Sequence, residues 1–214
     1  ASNSSLCGGF NANVIRHLNE VVAEYEPKVG RENILIYPVG RKVADAVKKM
    51  EGLTAAGDYQ HMSGKPNYQE AADLAAELMT RFASGEIQQV ELLYNHFKST
   101  STQVLTRETY LPLDLSAGHT DEKGEEQEAM QADYLIEPSP EQVMEELLPK
   151  VLRMKMYTVL LDSTASEHAA RTMAMQIATD NANDLIQELT LIYNKSRQQA
   201  ITNELLDIVG GSMS

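Results

Sequence analysis

The sequence predicts an α/β body joined to one very long C-terminal helix, and three observations carry that reading. Helical and strand-like segments alternate over residues 1–138. Short apolar runs rich in branched residues stand between the helical ones. From residue 139 to 214 the pattern turns wholly helical, with no Pro or Gly between Lys150 and Val209. Alternating strands and helices imply a Rossmann-like, mostly parallel sheet with flanking helices over 1–138, and 139–214 reads as a separate shaft-like element.

Each element follows from local pattern. Val14, Leu18, Val21 and Val22 recur at helical spacing between Asn11 and Tyr25, and Pro27 and Gly30 are expected to end that helix. The run from Asn33 to Val39 reads as a buried strand. Gly40 to Met50 reads as a helix with Val43, Ala46, Val47 and Met50 inward, and the Gly-containing stretch 52–66 as a loop. Asn67 is placed to cap a helix running to Ala83, with Leu74, Ala75 and Leu78 on its inner face and Gly85 after its end. Gln89–Phe97 and Thr102–Leu111 read as an antiparallel hairpin turning at Thr100–Thr102. Residues 114–133 carry seven acids against one Lys and read as a solvated loop. A last short strand is expected from Tyr134 to Glu137, ending at Pro138.

The C-terminal segment is too long for a domain of this size to bury. Sixty helical residues would extend about 90 Å. A seam at alternating spacings of three and four runs through Met154, Tyr157, Leu161, Thr164, His168, Arg171, Met175, Ala178, Ala182, Leu185, Leu189, Ile192 and Ser196. That seven-residue repeat is the signature of a coiled coil. Ala165, Ala169, Ala170, Ala174, Ala178 and Ala182 cluster in its middle, where small side chains let another helix approach closely. A helix so built needs a partner along the seam, and this chain offers no second helix of matching length.

Composition excludes several classes. The net charge is −13, and residues 1–149 carry −12 of it, so clustered basic contacts to nucleic acid are absent. Cys7 is the single cysteine, which excludes an intramolecular disulfide. No run is long and apolar enough to span a bilayer, and no signal-peptide pattern begins the chain. The first residue is Ala, which fits a processed chain or a fragment.

Catalytic chemistry finds little support. Cys7-Gly8-Gly9 before a helix could lower a thiol, yet no base is placed to serve it, and a small buried structural Cys fits as well. Gly8-Gly9 is no dinucleotide fingerprint, and there is no P-loop. The five His stand apart from one another, without metal-ligand spacing. No cofactor is implied.

Two blocks resemble a known family. Ser166-Glu-His-Ala-Ala-Arg-Thr-Met-Ala-Met leads into Ala178-Thr-Asp-Asn-Ala182, then Leu189-Thr-Leu-Ile-Tyr-Asn-Lys195, Arg197-Gln198, Ile201-Thr202, Glu204-Leu205 and Ile208-Val-Gly-Gly211. This pattern resembles the C-terminal helix of F-type ATP synthase gamma subunits. Leu6-Cys-Gly-Gly-Phe-Asn11 resembles the family segment that follows its first strand, and the spacing between the blocks is similar. Asn3, Ser4 and Ser5 stand where the family usually carries a charged residue and a Gly.

The resemblance implies a non-catalytic rotor inside a ring of alpha and beta subunits, with the α/β body as a foot on the membrane rotor ring beside epsilon. It implies that an N-terminal gamma helix, expected to be missing here with the first strand, is the seam's antiparallel partner. It carries Arg197, Gln198, Thr202, Glu204 and Asp207 onto positions that contact beta, and Tyr134 and Glu137 onto the foot near the ring. Asp207 stands where Glu is commoner, and Ile136 replaces a frequent aromatic. A peripheral place on the cytoplasmic face of the bacterial inner membrane is expected. From the residues alone, a small α/β enzyme using Cys7 and a self-associating coiled-coil scaffold remain open. A pocket joining Cys7 to a base would favour the first, and a stable homodimer through 154–196 the second.

Overall fold

The computed structural model describes residues 1–113, 137 and 139–212. Helix α1 (Phe10–Val29) leads to strand β1 (Leu35–Ile36), helix α2 (Arg41–Val47) and strand β2 (Thr54–Ala55). Helix α3 (Tyr68–Ala83) follows, then strands β3 (Val90–Ser99) and β4 (Thr102–Leu111), and finally helix α4 (Pro140–Ser212). At 73 residues, α4 is about 110 Å long at 1.5 Å per residue. The predicted acidic loop 114–133 and the strand from Tyr134 lie outside the described residues.

The sheet comes in two pieces. β1 pairs with β2 in parallel, Leu35 opposite Thr54 and Ile36 opposite Ala55. β3 and β4, ten residues each, form an antiparallel hairpin, with register shifts near Val90 and Phe97. Among the described residues, the parallel part of the expected sheet is therefore this short pair, and a cleft separates it from β3. β2 falls inside the stretch read from sequence as loop. Gly and polar residues there hid a strand of two residues, both exposed.

Local chemistry sets the ends. α1 passes through Pro27 and stops at Gly30, whose φ of 81° and N–H to Glu26 O (3.0 Å) close the last turn. Pro27 lies so near that end that only one backbone bond is forfeited. Asn67 caps α3 as predicted, its Oδ1 accepting from the Gln69 N–H at 2.9 Å. Gly40, at φ 99°, is needed for a close crossing, because a Cβ there would lie 1.9 Å from Ala1 O.

The core forms where α3, the hairpin and the start of α4 meet. Met62, Ala71, Leu74, Ala75, Leu78, Tyr110 and Leu111 pack against Leu152, Met156 and Leu160. Burial of this set supplies the non-directional attraction that seats α4 on the body. On the far side, Arg107 ties the hairpin to α1. Its Nε donates to Glu91 Oε2 (2.8 Å), and its Nη1 to Glu24 Oε2 (2.6 Å). The Glu24 carboxyl is held down to about 2, first by the Arg107 hydrogen bond and next by Lys28.

Tyr110 is buried, and its hydroxyl donates to Leu152 O at 2.9 Å. Burial pushes the phenol up to about 12. The folded state therefore holds this proton more tightly than the unfolded chain. The associated stability is fully present below pH ~10 and is lost as pH rises through about 12. Tyr110→Phe is expected to cost about 1 kcal/mol at neutral pH, the net worth of one hydrogen bond. It should also shrink the alkaline loss of stability. Denaturant melts at pH 7 and pH 11 check both.

Candidate functional site

The first half of α4 belongs to the body and the rest stands clear of it. Leu152, Met156, Val159, Leu160, Ser166 and Ala169 are buried. Every residue from Met175 to Ser212 is exposed. That length spans about 57 Å of helix. Large apolar side chains lie along it in the open, among them Leu185 (54% exposed), Leu189 (54%), Ile192 (55%) and Leu191 (72%).

The predicted seam does not coincide with the face that grips the body. Met154 is 56% exposed and Leu161 43%, although both flank buried residues. Tyr157, Thr164 and Arg171 are the seam positions drawn inward, and Tyr157 lies nearest the core. Its ring meets Tyr68 edge-on, with centroids 5.6 Å apart, at the margin of the core. Ala178, Ala182, Leu185, Leu189 and Ile192 share the open stretch. From Met175 onward the seam is a mostly apolar stripe left facing outward after the body has taken its own stripe.

The polar set near the tip is also open. Arg197, Gln198, Thr202, Glu204 and Asp207 are all exposed. Thr202 Oγ1 donates back to Gln198 O at 2.8 Å, so that hydroxyl is engaged within the helix. At the other end of the chain's long helix, Glu137 is exposed, and Tyr134 lies outside the described residues.

Sequence reasoning missed how the body holds α4. Asp162 Oδ1 accepts from the Phe97 N–H at 2.9 Å, and its Oδ2 lies 2.5 Å from His96 Nδ1. One turn on, the wholly buried Ser166 donates from Oγ to Asn95 O at 2.9 Å. Lys155 Nζ pairs with Glu108 at 2.8 Å. Arg171 reaches the N-terminal loop, donating to Ser5 O at 2.6 Å and Ser4 Oγ at 2.8 Å. A second stripe one to two residues off the seam (Leu152, Met156, Val159) was the available signal.

A cleft of about 950 Å³ lies between β1 and β3. Val22 of α1, Ile36 of β1, Leu92 of β3 and Val159 of α4 line it. Unpaired edges of both two-stranded sheets face it, a geometry that suits one more strand. At one end the Ala1 main-chain nitrogen donates to Val39 O at 3.0 Å.

Among the described residues, no carboxylate or imidazole is hydrogen-bonded to Cys7. It is 2% exposed, with Asn11 Nδ2 donating to its Sγ at 3.1 Å and Ser2 Oγ 3.7 Å away. Both of these neighbours are uncharged side chains. Among the described residues, no three side chains of metal-ligand type converge.

Comparison with known proteins accounts for this shape. The ATP synthase family model matches residues 1–214. The chain belongs to the ATP synthase gamma family. It is 70% identical over 214 residues to the ATP synthase gamma chain of Phocaeicola vulgatus, covering 100% of this chain and 72% of that one. The gamma chain of Bacteroides fragilis is 59% identical over 214 residues with the same coverage. A chain of the Euglena gracilis mitochondrial ATP synthase, in a structure of OSCP, F1 and c-ring, superposes with a TM-score of 0.62 at 25% identity. That likeness covers 100% of this chain and 70% of the other. The Tetrahymena thermophila central stalk and c-ring structure shares the fold, with a TM-score of 0.55 at 23% identity over 84% of this chain and 73% of that one. Family membership places the chain in the central stalk of an F-type ATP synthase.

The shielding of Cys7 gives a direct test. Thiol-reagent labelling of the folded chain should run at least ~100-fold slower than in denaturant, since attack must await local opening. Cys7→Ala should leave the melting midpoint within a few degrees. Labelling at the unfolded rate would return Cys7 to the list of reactive groups.

Proposed function

We propose that the chain works as a non-catalytic rotor, with residues 1–138 as its foot and 139–214 as its shaft. The observation that carries this is the exposed α4 from Met175 onward, with its heptad stripe uncovered. A monomeric protein does not normally leave so long an apolar stripe in water, and a coiled-coil partner would cover it. The partner we propose is an N-terminal gamma helix running antiparallel along Met154, Leu161, Ala178, Ala182, Leu185, Leu189 and Ile192. An extended strand in the cleft between β1 and β3 would complete the sheet.

The proposed partners are alpha and beta around the shaft, and epsilon and the membrane rotor ring at the foot. Ring rotation driven by proton flow turns the foot, and the shaft presents a changing face to each beta subunit. Coupling requires only that this face bind beta's conformations with different energies. Arg197, Gln198, Thr202, Glu204 and Asp207 are the proposed contacts to beta, where exposed polar groups can form bonds and release them each turn. Arg197 suits a carboxylate, which its planar fork can hold with two bonds. Tyr134 and Glu137 are proposed to lie near the ring. Among the described residues no helix is long and apolar enough to cross a membrane, so we propose a peripheral place on the cytoplasmic face of a bacterial inner membrane.

In the complete subunit, Arg197→Ala or Gln198→Ala should lower coupled ATP turnover about tenfold, the equivalent of about 1.4 kcal/mol. The circular dichroism and melting of the foot should stay unchanged. Full coupled turnover in both variants would reject the contact role. Co-purification with alpha and beta, with and without the N-terminal gamma helix added, tests the partnership. Equal recovery in both cases would argue against seam pairing as the basis of assembly.

A further inference from the structure

We propose that Asp162 and Ser166 form a torsional clamp that fixes the roll of α4 on the foot, acting as positioning residues for rotation. The inference rests on the rotor reading and adds the point where torque crosses from body to shaft.

Apolar packing alone cannot carry torque well. The contacts of Leu152, Met156, Val159 and Leu160 are non-directional, and a helix can roll on them while its side chains slide. Hydrogen bonds behave differently because they lapse over a few tenths of an ångström. Side-chain contacts lie about 5–6 Å from a helix axis, so a roll of about 30° carries them about 3 Å. That is ample to break a bond of 2.9 Å.

The placement fits this role. In adjacent turns of α4, Asp162 and Ser166 engage three consecutive residues of β3. Asp162 takes the Phe97 N–H (2.9 Å) and stands 2.5 Å from His96 Nδ1, while Ser166 donates to Asn95 O (2.9 Å). Two of these three partners are main-chain groups of the hairpin ladder, which cannot follow a rolling helix by a change of rotamer. Ser166 is 0% exposed, so water cannot readily replace its bond. The clamp lies about 14 Å of helix rise below Met175, where the free shaft starts.

The test uses the complete subunit assembled with its ring in vesicles, comparing ATP-driven proton uptake with ATP hydrolysis. Asp162→Ala combined with Ser166→Ala should lower the uptake-to-hydrolysis ratio about threefold, with hydrolysis retained, because torque is lost to roll at the base. Val159→Ala removes packing in the same interface without touching a directional bond, and should leave the ratio unchanged. Asp162→Asn keeps an oxygen for the Phe97 N–H and should restore at least half of the ratio lost in Asp162→Ala. An unchanged ratio in the double variant, or an equal fall in Val159→Ala, overturns the proposal. If the double variant does not assemble, the single alanine variants are judged by the same two criteria. Wild-type assemblies that hydrolyse ATP without any proton uptake would instead strike at the rotor reading itself.

Discussion

The seating of α4 on the α3–hairpin face is the interaction from which the rest of the molecule follows. Leu152, Met156 and Leu160 enter the same core as Leu74, Leu78 and Tyr110, so the helix and the body fold as one unit at that point. Among the described residues, nothing comparable supports the helix beyond Met175. Isolated helices gain little from propensity alone, and long ones persist chiefly by packing an amphipathic face. The body thus holds the start of a rod whose upper part still asks for a companion.

Two unmet surfaces follow from that constraint. One is the outward stripe of α4, and the other is the cleft of about 950 Å³ with a strand edge on either side. They differ in chemistry. The stripe offers side chains to a helix, whereas the cleft offers main-chain donors and acceptors along with apolar walls. A helix and a strand are therefore the natural complements, one for each surface. Both surfaces meet at the foot of α4, because Val159 lines the cleft while Leu161, two residues on, stays 43% exposed on another face.

Much of this was legible in the sequence. The capped helix at Asn67, the hairpin over 89–111 and the long C-terminal helix each carry a local signal, by side-chain cap, turn or period. The details that escaped depend on tertiary contact. β2 has two exposed residues and no pattern of its own, and exists because β1 lies beside it. Pro27 stands inside α1 because an exposed last turn tolerates a lost bond, so punctuation by residue type placed the end a little early. The inner stripe of α4 was hidden by the better heptad beside it. Asp162 and Ser166 look like ordinary surface polar residues until the hairpin is brought against them. Sequence period reveals which faces are apolar, but not which of two faces the body will claim.

That choice of face bears on how a shaft can work at all. Where the body grips α4 decides the direction in which Leu185, Leu189 and Ile192 point, about 30 Å or more further along the helix. An α-helix transmits its azimuth from turn to turn through its own hydrogen-bond ladder, so an angular error at the base travels up undiminished. Apolar contact at the base would leave that angle soft, and polar bonds to a β-ladder make it definite. The division of labour is physical: burial supplies the adhesion, a few buried or half-buried hydrogen bonds supply the angle, and the exposed length carries that angle outward.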